Sequence, residues 1–318
     1  MRLPKITIGI LNMNGLHRLK RVINSYLFQD YPNCEIVIVD NGSTDGSIDF
    51  IKKFKKIRLI ENGENLGYSK GKNILVKSSK GEYILMMDND IEIKGNSFLS
   101  NIYKAYKSLE NPGFLSPLVK ERKNGQNIEN LGLFYNRIQN KTSLSSVFGK
   151  GIIKIPGYLG NVVFFEKDTF LALGGFDEIY PINIDDYDLS ARAYLFGYNN
   201  YLDLNSYVIH HGIETRVNIN SLCWKNKYYL SGFSRMIWKN YNVKNLIIWW
   251  PISTIWIFYK VLKISISNFS LKPLKSYLFS SYLFLMDFPS TINSRRAIQK
   301  ERIIKEDVFL KIKKAEIK

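Results

Sequence analysis

Short, unbroken apolar runs alternate with stripes at helical spacing along residues 6–93. The runs at 6–11, 35–39, 57–60 and 83–87 read as buried strands. Between the first two, Leu16, Leu19, Val22, Ile23, Tyr26 and Leu27 share one face of a helix over 16–28, and further helices are expected over 48–55 and 67–79. Strand–helix alternation at this spacing predicts a parallel sheet with helices on both faces. Ligands bind such sheets beyond the carboxyl ends of the strands. Asn12, Asp40 and Asp88 all fall at such ends.

Further along, 112–155 is rich in Gly and Pro among polar residues and reads as short strands and loops. A strand is expected at 161–166, then a helix over 168–173 that stops at Gly174-Gly175. A helix over 184–197 starts with Asp185, Asp186 and Asp188, where the macrodipole favours carboxylates. Asp188 and Arg192, four apart, are expected to pair on its surface. A strand over 207–212 ends in His210-His211, and His17 is expected at the surface of the first helix.

The acidic stretch Asp88-Asn89-Asp90-Ile91-Glu92 carries the sharpest chemistry. In a regular strand Asp88 and Asp90 would point the same way and repel unless a cation sits between them. Hard oxygen ligands at the mouth of an α/β sheet suit Mg²⁺ or Mn²⁺ carrying a diphosphate. Standing alone, such a pair is more often an acidic turn, so the flanking sequence decides.

At 318 residues the chain supports one large domain, or one domain plus an appendage. Its two cysteines, Cys34 and Cys223, make no metal spacing and read as reduced thiols in a cytosolic protein. The first five residues run straight into the first strand, so no signal peptide is expected. The net charge of +17 is uneven: 221–318 holds 18 Lys or Arg against 5 Asp or Glu. That basic character is interleaved with the uncharged runs 245–259 and 276–286, which argues against nucleic acid. Both runs are shorter than the ~18–20 residues that span a bilayer. Two readings stand: interfacial helices with Trp anchors on an anionic membrane, or a packing surface through which the chain forms a homo-oligomer. A basic helical terminus is expected over 294–318.

Six motifs in order, V-D-N-G-S-T-D-G-S at 39–47, N-L-G-Y-S-K-G-K-N at 65–73, M-D-N-D at 87–90, L-G-G-F-D-E at 173–178, I-D-D-Y-D-L-S-A-R at 184–192 and His210-His211, resemble family 2 glycosyltransferases of the GT-A fold. The likeness is to bacterial and archaeal rhamnosyltransferase-like enzymes of polysaccharide synthesis. It implies a Rossmann-like mixed α/β sheet over 1–217, with a donor half at 1–93 and an acceptor half at 94–217. Beyond the resemblance, the basic, aromatic-rich 218–318 is expected to form a helical C-terminal extension that associates with membrane. The implied reaction is an inverting, metal-dependent transfer from a nucleotide-diphospho-sugar to a hydroxyl of a glycan or lipid-linked saccharide. It would take place in the cytoplasm, at the inner face of the cell membrane.

By the same resemblance, Asp40 accepts from the nucleobase, and Asn12, Asn41, Gly67 and Asn73 lie against the nucleotide. Asp90 coordinates Mn²⁺ or Mg²⁺, Asp88 faces the ribose or a metal-bound water, and His210 completes the metal site with His211 as fallback. Phe176-Asp177-Glu178 lies beneath sugar and acceptor. Asp186 is the general base, with Asp185 as rival. Asp45 reads as a turn residue only. Two rivals remain: a non-catalytic sugar- or membrane-binding scaffold, and a sugar-nucleotidyltransferase. The latter wants a Gly-rich basic loop after the first strand, and residues 12–15 offer none.

Overall fold

The structure is a computed structural model that describes residues 2–123, 126–135, 140–144, 150–180, 184–212 and 219–312 of the chain. It opens with four parallel strands, β1 (Ile6–Asn12), β2 (Cys34–Asp40), β3 (Ile57–Glu61) and β4 (Tyr83–Asp88), in the order β3-β2-β1-β4. Helices α1 (Leu16–Leu27), α2 (Ser47–Ile51) and α3 (Tyr68–Ser78) connect them. The strands read as unbroken apolar runs because both faces are covered. Ile36 and Ile38 join Leu19, Val22 and Ile23 of α1 in one cluster, while Val37 and Val39 join Leu75 and Val76 of α3 in another. Helix α3 lies so close to β1 that a Cβ on Gly9 would come within 2.4 Å of Leu75.

Beyond β4 the sheet becomes mixed. The chain continues through β5 (Ile91–Ile93), α4 (Phe98–Lys107), β6 (Pro112–Lys123), β7 (Gln126–Tyr135), β8 (Asn140–Leu144), β9 (Ile152–Lys154), β10 (Val162–Glu166), α5 (Lys167–Ala172), α6 (Asp185–Leu195) and β11 (Asn199–His210). Strand β10 runs antiparallel between β4 and β6, and β11 is parallel to β6 but antiparallel to the edge strand β5. Strict alternation therefore describes the first half only. The antiparallel β6, β7 and β8 follow one another without a crossover helix. Residues 124–125, 136–139 and 145–149 of the loop-rich stretch expected at 112–155 lie outside the described residues.

Among the described residues, four α-helices follow the sheet: α7 (Ile219–Asn240), α8 (Val243–Ser267), α9 (Lys272–Met286) and α10 (Phe288–Glu301). The boundary expected near 217 separates sheet from helices but does not divide the core. Leu230, Phe233, Met236 and Ile237 of α7, and Tyr241 just after it, belong to the same buried cluster as Ile6, Ile8 and Ile10 of β1. The helical terminus expected over 294–318 stops at Glu301; Ile303 and Ile304 then donate from their backbones to Leu195 O, each at 2.9 Å, and residues 313–318 lie outside the described part. Helix α8 continues through Lys260 and Lys263 to 25 residues, so its length corrects the expectation drawn from the 15 uncharged residues of 245–259. By length and composition it suffices to cross a membrane.

Candidate active site

The ends of β1, β2 and β4 do converge, and a polar floor seals them. Asn12 donates from Nδ2 to Asp40 Oδ2 at 2.7 Å and to Ser43 Oγ at 3.2 Å, and accepts from Asn89 Nδ2 at 2.7 Å. Ser43 donates to Asp40 twice, from its backbone N–H and its hydroxyl, both at 2.7 Å. Asp40 and Asn12 are fully buried. The Asp40 carboxylate thus shapes the loop over residues 40–47, and a nucleobase reaches it only if Ser43 turns aside. Asp45 accepts from Leu16 N at the start of α1 and from Ser47 at the start of α2, the structural role expected of it.

Gly67 lies at φ 82° and ψ 172°, a backbone region essentially reserved for glycine. Asn41 accepts from Asn62 and donates to Gly67 O at 3.0 Å, tying that loop to β2. Asn73, expected against ribose or phosphate, points elsewhere. Its amide exchanges two hydrogen bonds of 2.9 Å with the Phe176 backbone and donates a third to Glu178 Oε1. Because Asn73 is buried and so engaged, it positions the loop at 176–178.

The two halves meet at Tyr68 and Lys72, one turn apart on α3. The Lys72 ammonium is fully buried, 3.0 Å from Asp88 Oδ1, donates to Gly160 O at 2.7 Å and also contacts the Tyr68 hydroxyl. Tyr68 in turn donates toward Asp88 Oδ1 at 3.0 Å and Gly160 O at 2.7 Å. Gly160 N donates to Asp186 Oδ2 at 3.1 Å, so one bonded chain runs from Asp88 to Asp186. A Cβ on Gly160 would stand 3.2 Å from that carboxylate oxygen. Lys72 and Gly160 are site residues that the sequence does not single out; the signals for Lys72 are its place in the 65–73 motif and its i,i+4 spacing from Tyr68.

Asp185 and Asp186 occupy the first turn of α6, after Ile184 at φ 72°. Asp186 is the more accessible and accepts from the backbone of Gly160 and of Tyr187. Asp185 is buried, with Oδ2 lacking any hydrogen bond. Burial, then repulsion from Asp186, pushes its pKa up to about 8. Burial raises Asp186 as well, but the two backbone donors oppose it and leave the value at about 6. Both carboxyls are raised, Asp185 the further, so Asp186 is the one that ionises first, a division of roles between paired carboxylates.

Asp88 and Asp90 do not share a strand face. Strand β4 ends at Asp88 and the turn at 89–90 redirects Asp90 toward β11. His210 Nε2 lies 3.5 Å from Asp90 Oδ1, which is buried and otherwise without a hydrogen bond, and His210 Nδ1 lies 3.1 Å from Glu121. Burial lowers the His210 pKa, but those two carboxylates outweigh it and lift it to about 10. His211 turns to Glu92 at 2.7 Å, away from this site. Among the described residues no group of three or more His, Cys, Asp or Glu stands ready to hold a metal, so the set Asp88, Asp90 and His210 is not assembled. Asp90 with His210 is the part that fits: a carboxylate oxygen lacking a donor beside an imidazole suits Mn²⁺, whose binding would displace the proton that the two carboxylates hold on His210. Asp88 spends one oxygen on Lys72 and Tyr68.

The loop expected beneath sugar and acceptor faces partly inward. Asp177 pairs with Arg235 at 2.8 Å and Lys239 at 2.6 Å, both on α7. Lys239 also reaches Asp188, which pairs with Arg192 at 2.8 Å, buried rather than on the helix surface as expected. Helix α7 is therefore bolted to the helix that carries Asp186.

Superposition on solved glycosyltransferases shows that this mixed sheet with its helices is a GT-A fold. S. aureus TarS superposes with a TM-score of 0.60 at 14% identity, covering 96% of this chain and 90% of that one. The Pyrobaculum calidifontis mannosyltransferase PcManGT, solved with GDP-Man and Mn²⁺, gives 0.57 at 15% identity, covering 95% and 86%. Residues 7–165 match the model of glycosyl transferase family 2, and the chain belongs to that family. An uncharacterized glycosyltransferase of Haemophilus influenzae is 35% identical over 94 residues, 28% of this chain and 38% of the relative. An Escherichia coli UDP-Glc:alpha-D-GlcNAc-diphosphoundecaprenol beta-1,3-glucosyltransferase is 36% identical over 87 residues, 27% and 35%. The matches to the first curated relatives span well under half of those proteins.

Proposed function

We propose that this chain moves a sugar from a nucleotide-diphospho-sugar to a hydroxyl of a glycan or lipid-linked saccharide, in one inverting displacement with Asp186 as general base. The single observation that carries the reading is the bonded chain Asp88–Tyr68/Lys72–Gly160–Asp186, which joins a donor-side carboxylate to an ionised carboxylate on the acceptor side. Asp186, held by two backbone donors, takes the proton from the acceptor hydroxyl as its oxygen attacks the anomeric carbon. Asp185, protonated beside it, spares the site a second negative charge. Asp90 and His210 would hold a divalent cation, which when bound offsets charge on the departing nucleoside diphosphate. The E. coli relative named for a GlcNAc-diphosphoundecaprenol acceptor supports a lipid-linked acceptor.

The test is thermal melting with a panel of nucleotide sugars, each with and without Mn²⁺, because ligand binding to the folded state raises the midpoint. A metal-dependent rise with one donor supports the reading and names that donor. No rise with any donor favours the scaffold alternative. Asp40, sealed by Ser43 and Asn12, is the feature on that side.

A further inference from the structure

Helices α8 and α9 are apolar on their outer face as well as their inner one. In a hairpin on a water-soluble protein, the inner stripe is apolar and the outer face polar. Here the inner positions mix Leu246, Ile257, Val261 and Phe284 with Ser253 at 1%, Ser265 at 6% and Ser280 at 0% exposure. The outer ones are Ile247, Ile255, Ile266, Leu278, Leu285 and Met286, each between 58% and 68% exposed. Small residues between helices and large apolar ones outside is how helices pack in lipid. At the turn, Phe269 is 99% exposed and Leu271 66%.

Charge points to the same partner. Residues 219–286 contain nine Lys or Arg and no Asp or Glu. Lys244, Lys260, Lys263, Lys272 and Lys275, all exposed, lie on the hairpin. Lys260 lies over the ring of the half-exposed Trp256 at 5.5 Å, an aromatic and basic pairing suited to a headgroup layer.

We propose that the outer face of the α8–α9 hairpin lies in the surface of an anionic lipid bilayer, along it rather than through it. Leu246, Ile257 and Val261 of α8 belong to the main core cluster, so the helix cannot leave the body to cross a membrane without opening that core. Apolar side chains sink to the acyl boundary while the lysines meet acidic headgroups. Ser231 N on α7 donates to Ser280 Oγ on α9 at 2.9 Å, so the seat is joined to the helix whose Arg235 and Lys239 hold the acceptor-side loop.

The test is flotation of the full chain with vesicles of neutral phosphatidylcholine, alone or with phosphatidylglycerol. It has no catalytic readout, so it fails or succeeds apart from the transferase reading. Binding is expected only with the anionic lipid and should weaken with salt. The triple variant Lys263→Gln/Lys272→Gln/Lys275→Gln should bind roughly 100-fold more weakly. Phe269→Ser/Leu278→Ser/Leu285→Ser, all at exposed positions, should melt no lower than the parent yet lose binding. Absence of binding, equal binding to neutral vesicles, or retention through alkaline carbonate extraction would each overturn the proposal. So would a stable dimer in sedimentation that these serine substitutions dissociate, since a second copy would then cover the face.

Discussion

Lys239 Nζ lies 2.9 Å from Asp188 Oδ2, with both side chains sealed from solvent, and this contact fastens the C-terminal helices to the helix that carries the candidate base. The same ammonium serves Asp177 at 2.6 Å. Removing one partner of a buried pair leaves an uncompensated charge, which costs about 3–5 kcal/mol. Lys239→Met should therefore lower stability by about that amount in urea melts.

The same network sets an acid limit. Burial raises the carboxyls of Asp177 and Asp188, but Lys239 with Arg235 or Arg192 outweighs it and holds both below the ordinary carboxylate range. A depressed folded pKa contributes stability above the unfolded value of about 4, and that contribution is lost as pH falls through the folded value. The midpoint should drop steeply below about pH 4, and in Asp177→Asn the drop should be shallower. An equally steep drop in that variant would place the acid sensitivity elsewhere.

Asp185 has the opposite sign. Its pKa, lifted to about 8, means that the folded state loses stability as pH rises from about 4 toward 8. Asp185→Asn removes that burden. The variant should be more stable than the parent by on the order of 2 kcal/mol at pH 9, with the difference vanishing near pH 4. Equal stability at pH 9 would show that Asp185 ionises freely.

Much of this was legible in the chain because its signals are local. Unbroken apolar runs marked β1, β2 and β4, since strands covered on both faces have no polar alternation. Gly174-Gly175 marked the end of α5 because both adopt positive φ, 82° and 67°. What stayed hidden depends on partners distant in sequence. Asn73 and Phe176 are 103 residues apart, so nothing near Asn73 showed that its amide was already committed. Lys72 and Gly160 meet across 88 residues, and Asp188 looked like a surface residue until α7, 51 residues on, covered it. The turn at 89–90 defeated the i,i+2 argument for Asp88 and Asp90 because it ends the strand between them.

Gly67 offers a backbone test of the donor side. At φ 82° and ψ 172° an alanine is strained by about 1–3 kcal/mol. Relief of that strain would move the carbonyl that Asn41 holds at 3.0 Å and shift the start of α3, where Tyr68 sits. Gly67→Ala should lower the melting midpoint and weaken nucleotide-sugar binding several-fold, read by calorimetry. Unchanged stability would mean that the loop relaxes freely.

The sharpest test of the chemistry is Asp186→Asn. The amide keeps the size of the side chain but cannot take a proton, so transfer should fall by about 10²–10⁴. Nucleotide-sugar binding should survive, because an amide oxygen at position 186 can still accept from Gly160 N and so keep the chain to Asp88 intact. In the parent, kcat/KM should rise with pH through about 6, where Asp186 ionises, and then level off. Asp185→Asn should leave that limb nearly in place, since Asp185 is already protonated there. If Asp185→Asn abolishes transfer and Asp186→Asn does not, the base is Asp185 and the buried carboxyl must be reached by the acceptor. If both retain near-normal turnover, the proton goes to a group outside this pair.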